Sequence, residues 1–241
     1  MQRFFLTNTA INPGQSLNLA ALDHQLRAVL RLQAGDQITL LDDQGRAFLT
    51  ELTALNRRYV AGLVLAQLPD PPEPALHLTL YQCSLKADKF EWILQKGTEV
   101  GVSTFVPVIS QRSVVRPASA LLKKYERWQS IVREAAEQCG RGRLPHLAQP
   151  LAWSEVVAQA QGVRLLPWED LATSPAQPLR AALPSAATAV NLLIGPEGGI
   201  APAEVEEAQS TGWQTVSLGP LILRAETAAI VSAALVMAQA F

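Results

Sequence analysis

The chain has 241 residues, 49% apolar and 17% charged, enough to bury a sizeable core and too apolar for extended disorder. No apolar run approaches the roughly 20 residues a membrane-spanning helix needs, and Met1-Gln2-Arg3-Phe4-Phe5-Leu6-Thr7-Asn8 lacks the apolar stretch of a secretory signal, so a cytoplasmic protein is expected. A net charge of −1 argues against a generic polyanion binder, yet residues 1–143 carry 17 Lys and Arg against 13 Asp and Glu, a balance of +4, and residues 144–241 carry 3 against 8, a balance of −5.

The basic excess thus lies where a phosphate backbone could be held by Coulomb attraction, although a solvated charged surface has the same composition. Residues 1–68 read as short strands with one helix over 24–32 that ends near Gly35. Gln37–Leu41 and Arg46–Leu52, joined by Asp42-Asp43-Gln44-Gly45, read as a hairpin. Four prolines within Pro69-Asp70-Pro71-Pro72-Glu73-Pro74 deny backbone donors and mark a domain boundary. Beyond it, strand and helix alternate. A strand over 76–82 and a helix over 89–100 stopped by Gly101 come first, then a strand over 102–109 and a helix over 118–138. A helix over 154–160, strands over 162–166 and 189–194, a helix over 204–210, a strand over 215–218 and a helix over 227–240 complete the pattern. Such alternation predicts a mainly parallel sheet flanked by helices.

Cys83 and Cys139 form no CxxC pair, and His24, His77 and His146 lack metal-ligand spacing, so neither a disulfide framework nor a metal site is expected. Chemistry points instead to three glycine-punctuated connections. Gly195-Pro196-Glu197-Gly198-Gly199 follows a strand and precedes a helix, the place where parallel sheets hold ligands. A tight strand-to-helix turn would use the same glycines. Ser217–Ala228 is a second such connection, in which Glu226 and Thr227 suit a helix start. Arg224 does not suit one, because a cation is mildly unfavourable there, and it points to an anionic partner. Gly140-Arg141-Gly142-Arg143 offers two guanidinium groups on flexible backbone, suited to phosphate or to a plain helix C-terminus.

Together these segments resemble the RsmE family of SPOUT-class RNA methyltransferases. The likeness runs through Arg3-Phe4-Phe5, Lys86 with Asp88-Lys89, Gln95–Val102, Arg112-Ser113-Val114 and Glu137–Arg141, and ends on Gly195–Gly199 and Leu218–Ala228. It implies an α/β protein: a PUA-like β-barrel over residues 1–70, then a SPOUT methyltransferase domain over 74–241 with a C-terminal trefoil knot. It also implies a homodimer that uses S-adenosylmethionine (SAM) to methylate N3 of a uridine in 16S ribosomal RNA, free or in the assembled 30S subunit. Two departures stand out. Leu221 replaces an arginine of the family run, and Gly97 replaces an alanine inside a helix, at a cost of up to about 1 kcal/mol.

The resemblance places the cofactor against Leu193, Gly195, Pro196, Glu197, Gly198 and Gly199 from the first loop. Leu218, Gly219 and Leu223 from the second complete its site, the two loops lying at the ends of neighbouring strands. Arg224 is expected to stabilise the uridine anion, and Glu226 or Glu197 to accept its proton. RNA would be gripped by Arg3, Lys86, Arg112, Arg116, Arg141 and Arg143, with affinity falling as salt rises. The rivals are a SPOUT enzyme for another rRNA or tRNA nucleotide, and a non-catalytic ribosome-assembly factor that keeps the fold. A nucleotide-metabolising enzyme is disfavoured, since the glycine loop lacks the Gly-Lys-Ser/Thr ending of a phosphate-binding loop.

Overall fold

A computed structural model describes residues 1–56, 59–86, 88–115, 117–168 and 177–239. The chain divides into two compact units, Met1–Glu73 with Ala136–Leu144, and Pro74–Ala135 with Pro145–Phe241.

The first unit is a five-stranded sheet in the order β1-β3-β4-β5-β2, with β1 at Arg3–Phe5, β2 at Ser16–Asn18, β3 at Gln37–Leu41, β4 at Ala47–Leu55 and β5 at Val60–Leu68. The predicted 37–41 and 46–52 hairpin forms, its turn closed by Asp42, whose Oδ1 accepts the Gln44 and Arg46 N–H groups. Register shifts between Leu49 and Thr50 and between Leu52 and Ala54 bend the sheet, as bulges do. Its core is Phe4, Leu26, Ile38, Leu40, Phe48 and Leu52. The expected helix over 24–32 shrinks to one wide π-type stretch, His24–Val29, in which the Leu30 N–H reaches back to the Gln25 carbonyl.

One segment joins this unit from far along the chain. Ala136 packs with Phe5, Leu41 and Ala47, Glu137 Oε1 accepts the Phe5 N–H at 3.0 Å, and Asp43 Oδ1 accepts the Leu144 N–H at 2.6 Å. Glu73 Oε1 takes the Gly142 and Arg143 N–H groups at 2.8 and 3.0 Å, while its Oε2 pairs with Arg141 at 2.9 Å. Gly140, at φ +85°, leaves room for the Arg3 guanidinium, whose Nη1 would stand 2.7 Å from a Cβ at that position.

The second unit is built on parallel strands in the order β11-β13-β10-β12-β6-β7-β8, with β9 also pairing with β7. These are β6 at His77–Cys83, β7 at Thr104–Ile109, β8 at His146–Leu147, β9 at Leu151–Ala152, β10 at Val163–Pro167, β11 at Gln177–Pro178, β12 at Ala189–Ile194 and β13 at Gln214–Ser217. Successive strand residues point to opposite faces, so Leu165 and Leu192 join one core while Leu166 and Leu193 join another. The first core is covered by α1 (Lys89–Val100), α3 (Tyr125–Cys139) and α7 (Ala225–Met237), through Phe90, Ile93, Trp128, Ala229 and Val236. The second is covered by α4 (Trp153–Gln159) and α6 (Pro202–Ser210), through Trp153, Val156, Val205 and Ala208.

The predicted 118–138 helix is two helices, α2 at Ala118–Leu122 and α3. The chain tightens where the Lys124 N–H bonds the Leu121 carbonyl three residues back. Within the Pro/Ala-rich 172–188 stretch, residues 172–176 lie outside the described residues, and β11 and the short α5 (Leu179–Ala182) follow.

Gly97 corrects the expectation that glycine there is a mere propensity cost. A Cβ at this position would stand 2.7 and 2.9 Å from Cε1 and Cζ of the buried Phe105, so the glycine lets α1 lie close to β7. Gly97→Ala is therefore expected to lose about 1–3 kcal/mol to overpacking rather than gain helix propensity. Urea denaturation of the two proteins measures the sign.

Candidate active site

Two loops leave the carboxyl ends of β12 and β13. In the first, Gly199 takes φ +70° and its N–H closes a tight turn on the Pro196 carbonyl at 2.9 Å. A Cβ on Gly195 would stand 2.7 Å from Ile200 Cγ1, so the loop can fold back on itself only with glycine there. Buried Gln82 on β6 donates from Nε2 to the carbonyls of Cys83 and Gly195 at 3.0 and 3.3 Å, which fixes where the loop begins. The loop's far end is held by Glu204 in the first turn of α6, whose carboxylate accepts the Ala201 N–H at 3.2 Å and the Gln111 N–H at 2.7 Å. In the second loop Gly219 takes φ +118°, a conformation that other residues rarely adopt, and its N–H bonds Ser217 Oγ at 3.1 Å.

Both loops line one cavity of about 320 Å³. Gly195, Pro196, Glu197, Gly199 and Ile200 come from the first, Ile222, Leu223 and Arg224 from the second, and Lys89 and Pro167 from elsewhere. A smaller recess of about 60 Å³ shares Pro167, Ile222 and Leu223 and adds Trp168, Leu218 and Gly219. The expectation that the loops end neighbouring strands is corrected, because β10 runs between β12 and β13 and contributes Pro167 to the shared wall.

Charge is concentrated at this cavity. Lys89 Nζ stands 3.2 Å from Glu197 Oε1 and 3.4 Å from Glu226 Oε2. Partial burial would push the Glu197 carboxyl up. Its own N–H, the Lys86 N–H at 3.3 Å and the Lys89 ammonium outweigh that and hold it below the usual glutamate value. Arg224 precedes α7 in extended conformation, is exposed, and has no carboxylate in ion-pairing range among the described residues.

A sequence profile for the RNA methyltransferase domain matches residues 71–237, and one for the RNA methyltransferase PUA domain matches residues 26–65. The chain is 32% identical to the ribosomal RNA small subunit methyltransferase E of Bacillus subtilis, covering 95% of this chain and 93% of that one. It is 35% identical to the Synechocystis protein of the same name, covering 88% and 69%. The chain belongs to the ribosomal RNA small subunit methyltransferase E family. A family member from Neisseria gonorrhoeae solved bound to S-adenosyl methionine superposes with a TM-score of 0.88 at 32% identity, covering 97% and 95% of the two chains. A Legionella pneumophila protein solved with the bound cofactor SAM does so with a TM-score of 0.90 at 30% identity, covering 98% and 96%. The parallel-sheet unit is thus a SPOUT methyltransferase domain, and the N-terminal unit is PUA-like.

Measured against the methyltransferase E family expectation, the structure collects most of the cofactor set and sets two residues apart. Leu193 is wholly buried on the α4 and α6 face and does not line the cavity. Gly198 is not in the wall either; its carbonyl accepts a bond from Arg112 Nη1 at 3.1 Å. Among the residues expected to contact RNA, Arg3, Lys86, Arg112 and Arg143 are exposed. Arg141 corrects the expectation: its side chain is only 9% exposed and its guanidinium is engaged by Glu73. Arg116 lies outside the described residues. Lys89 is the residue that sequence reasoning missed as a site member. Its signal was available, because a lysine at the first position of a helix opposes the helix dipole and requires anionic company.

Proposed function

We infer that this chain transfers the methyl group of SAM to N3 of a uridine in 16S ribosomal RNA of the small subunit, acting as a cytoplasmic homodimer. What supports this most is the convergence of both glycine loops on one cavity with Arg224 in its wall. The 30S subunit as the form acted on, the knotted C-terminal path and the pairing of protomers belong to the same proposal. Among the described residues no helix is long and apolar enough to cross a membrane.

The cavity suits the cofactor. Its volume lies in the roughly 300–1,000 Å³ range of small-molecule sites, and Gly195, Gly199 and Gly219 present backbone groups without an intervening Cβ. Gly195, Pro196, Glu197, Gly199 and Leu223 would hold it, with Leu218 and Gly219 beside them. When bound, SAM supplies an activated methyl on a sulfonium, so the protein has to supply position and electrostatics. Uridine N3 is a weak acid, and its proton must leave before its electron pair can form the new N–C bond. Arg224 would stabilise the negative charge that spreads over the uracil ring. Glu197, held as a carboxylate by Lys86 and Lys89, is a weak base and serves the loop. Glu226 shares the Lys89 ammonium with Glu197, at 3.4 Å, and lies beside the cavity wall; with no backbone N–H on its Oε2 among the described residues, it is the proposed proton acceptor. Arg3, Lys86, Arg112 and Arg143 would meet phosphates.

The test is transfer of labelled methyl from SAM to small ribosomal subunits from cells lacking this protein, followed by nucleoside analysis. 3-Methyluridine is the expected product. Another methylated nucleoside would overturn the base assignment, and absence of transfer would overturn the activity.

A further inference from the structure

Three segments distant in sequence meet at one ammonium group. Lys89 opens α1, Glu197 sits in the loop after β12, and Glu226 lies in the first turn of α7, two residues beyond Arg224. Lys89 Nζ reaches both carboxylates, at 3.2 and 3.4 Å, and also lines the cavity. The two anions are not equivalent. Glu197 also accepts the Lys86 N–H, whereas buried Glu226 Oε2 has the Lys89 ammonium, at 3.4 Å, as its partner. Hydrogen bonding to Glu197, opposed by burial and reinforced by the charges of Glu197 and Glu226, holds the Lys89 ammonium above its usual value, so it stays charged at any working pH. Arg224, next to this first turn, has no ion partner of its own among the described residues to fix it. Its position is inherited from the start of α7.

We propose that Lys89 is a positioning residue for methyl transfer: by bridging Glu197 and Glu226 it locks the glycine loop to the start of α7 and so sets where Arg224 and Glu226 stand against the substrate. This rests on the methyltransferase activity inferred above. A lysine serving fold stability alone would need only one of these partners, and an exposed pair of that kind contributes little. A bridge across two loops of one cavity instead restricts their relative motion, and misplacement of reacting groups by about 1 Å can cost on the order of 100-fold in rate.

Lys89→Met is the probe, with Lys89→Arg as the conservative companion. Wild-type protein must first transfer labelled methyl and bind SAM in calorimetry; failure there overturns the activity and, with it, a positioning role for Lys89 in methyl transfer. With that established, Lys89→Met should lower kcat on the order of 100-fold while KM for RNA stays within about threefold. Lys89→Arg should recover most of kcat. Lys89→Gln gives the same comparison should the methionine variant not fold. A kcat for Lys89→Met close to wild type overturns the proposal. So does a loss that tracks the unfolded fraction and that arginine does not repair.

Discussion

Arg224→Ala is expected to slow methyl transfer about 10²- to 10³-fold, the usual effect of removing one preorganised donor from a site where negative charge develops. SAM affinity should stay within a few-fold of wild type. The asymmetry follows from placement. The cavity wall that would hold the cofactor is mostly backbone and apolar side chain, from Gly195, Pro196, Gly199 and Leu223. Arg224 brings to that wall a charge that no carboxylate in the described residues engages. A charge so placed interacts weakly with a neutral uracil and strongly with the anion left when N3 loses its proton. Single-turnover methylation and calorimetry on the same variant separate the two effects. Equal losses in both would make Arg224 a cofactor ligand instead.

Glu73→Ala should destabilise the N-terminal unit by about 3 kcal/mol, because one carboxylate serves three groups at once, the Arg141 guanidinium and the Gly142 and Arg143 N–H groups. The pair itself is not the reason for so large a loss, since charges withdrawn from water recover little more than their desolvation cost. What matters is that Arg141 remains 9% exposed while losing its carboxylate, and that the Gly142 and Arg143 N–H groups lose their acceptor together. Urea unfolding followed by near-ultraviolet circular dichroism would measure it, and a loss below about 1 kcal/mol would contradict the burial argument.

The sequence was most legible where a local rule had a single solution. Gly101, at φ +112°, ends α1 at Val100 as predicted, because a left-handed residue terminates a helix by itself. The strand before Gly195 falls at Ala189–Ile194 as expected, and the helix after it begins at Pro202, two residues before the expected start. Legibility failed where the partner lies far away in the chain. Gly140 and Gly142 read as flexible spacers for RNA-binding arginines. Instead, Gly140 clears space for Arg3, Gly142 offers its N–H to Glu73, and Arg141 is drawn inward. Nothing local indicates that β10 lies between β12 and β13, since strand order is a property of the whole sheet. The role of Lys89 is not legible locally, because its two carboxylates lie 108 and 137 positions downstream. Leu221, at 77% exposure, stands beside the recess where the family run has arginine, and nothing in the structure explains the exchange.

The N-terminal unit is discontinuous: Ala136–Leu144 supplies an apolar contact to Phe5, a carboxylate to its N–H and the groups that satisfy Glu73. During synthesis the five strands therefore emerge first, without the segment that packs on them. The proline-rich boundary emerges long before the nascent chain can complete the unit that precedes it, and the 62 residues Pro74–Ala135 of the next unit must follow before the missing piece arrives. A fragment ending at Glu73 would reproduce that half-made intermediate, with Glu73 facing water in place of Arg141.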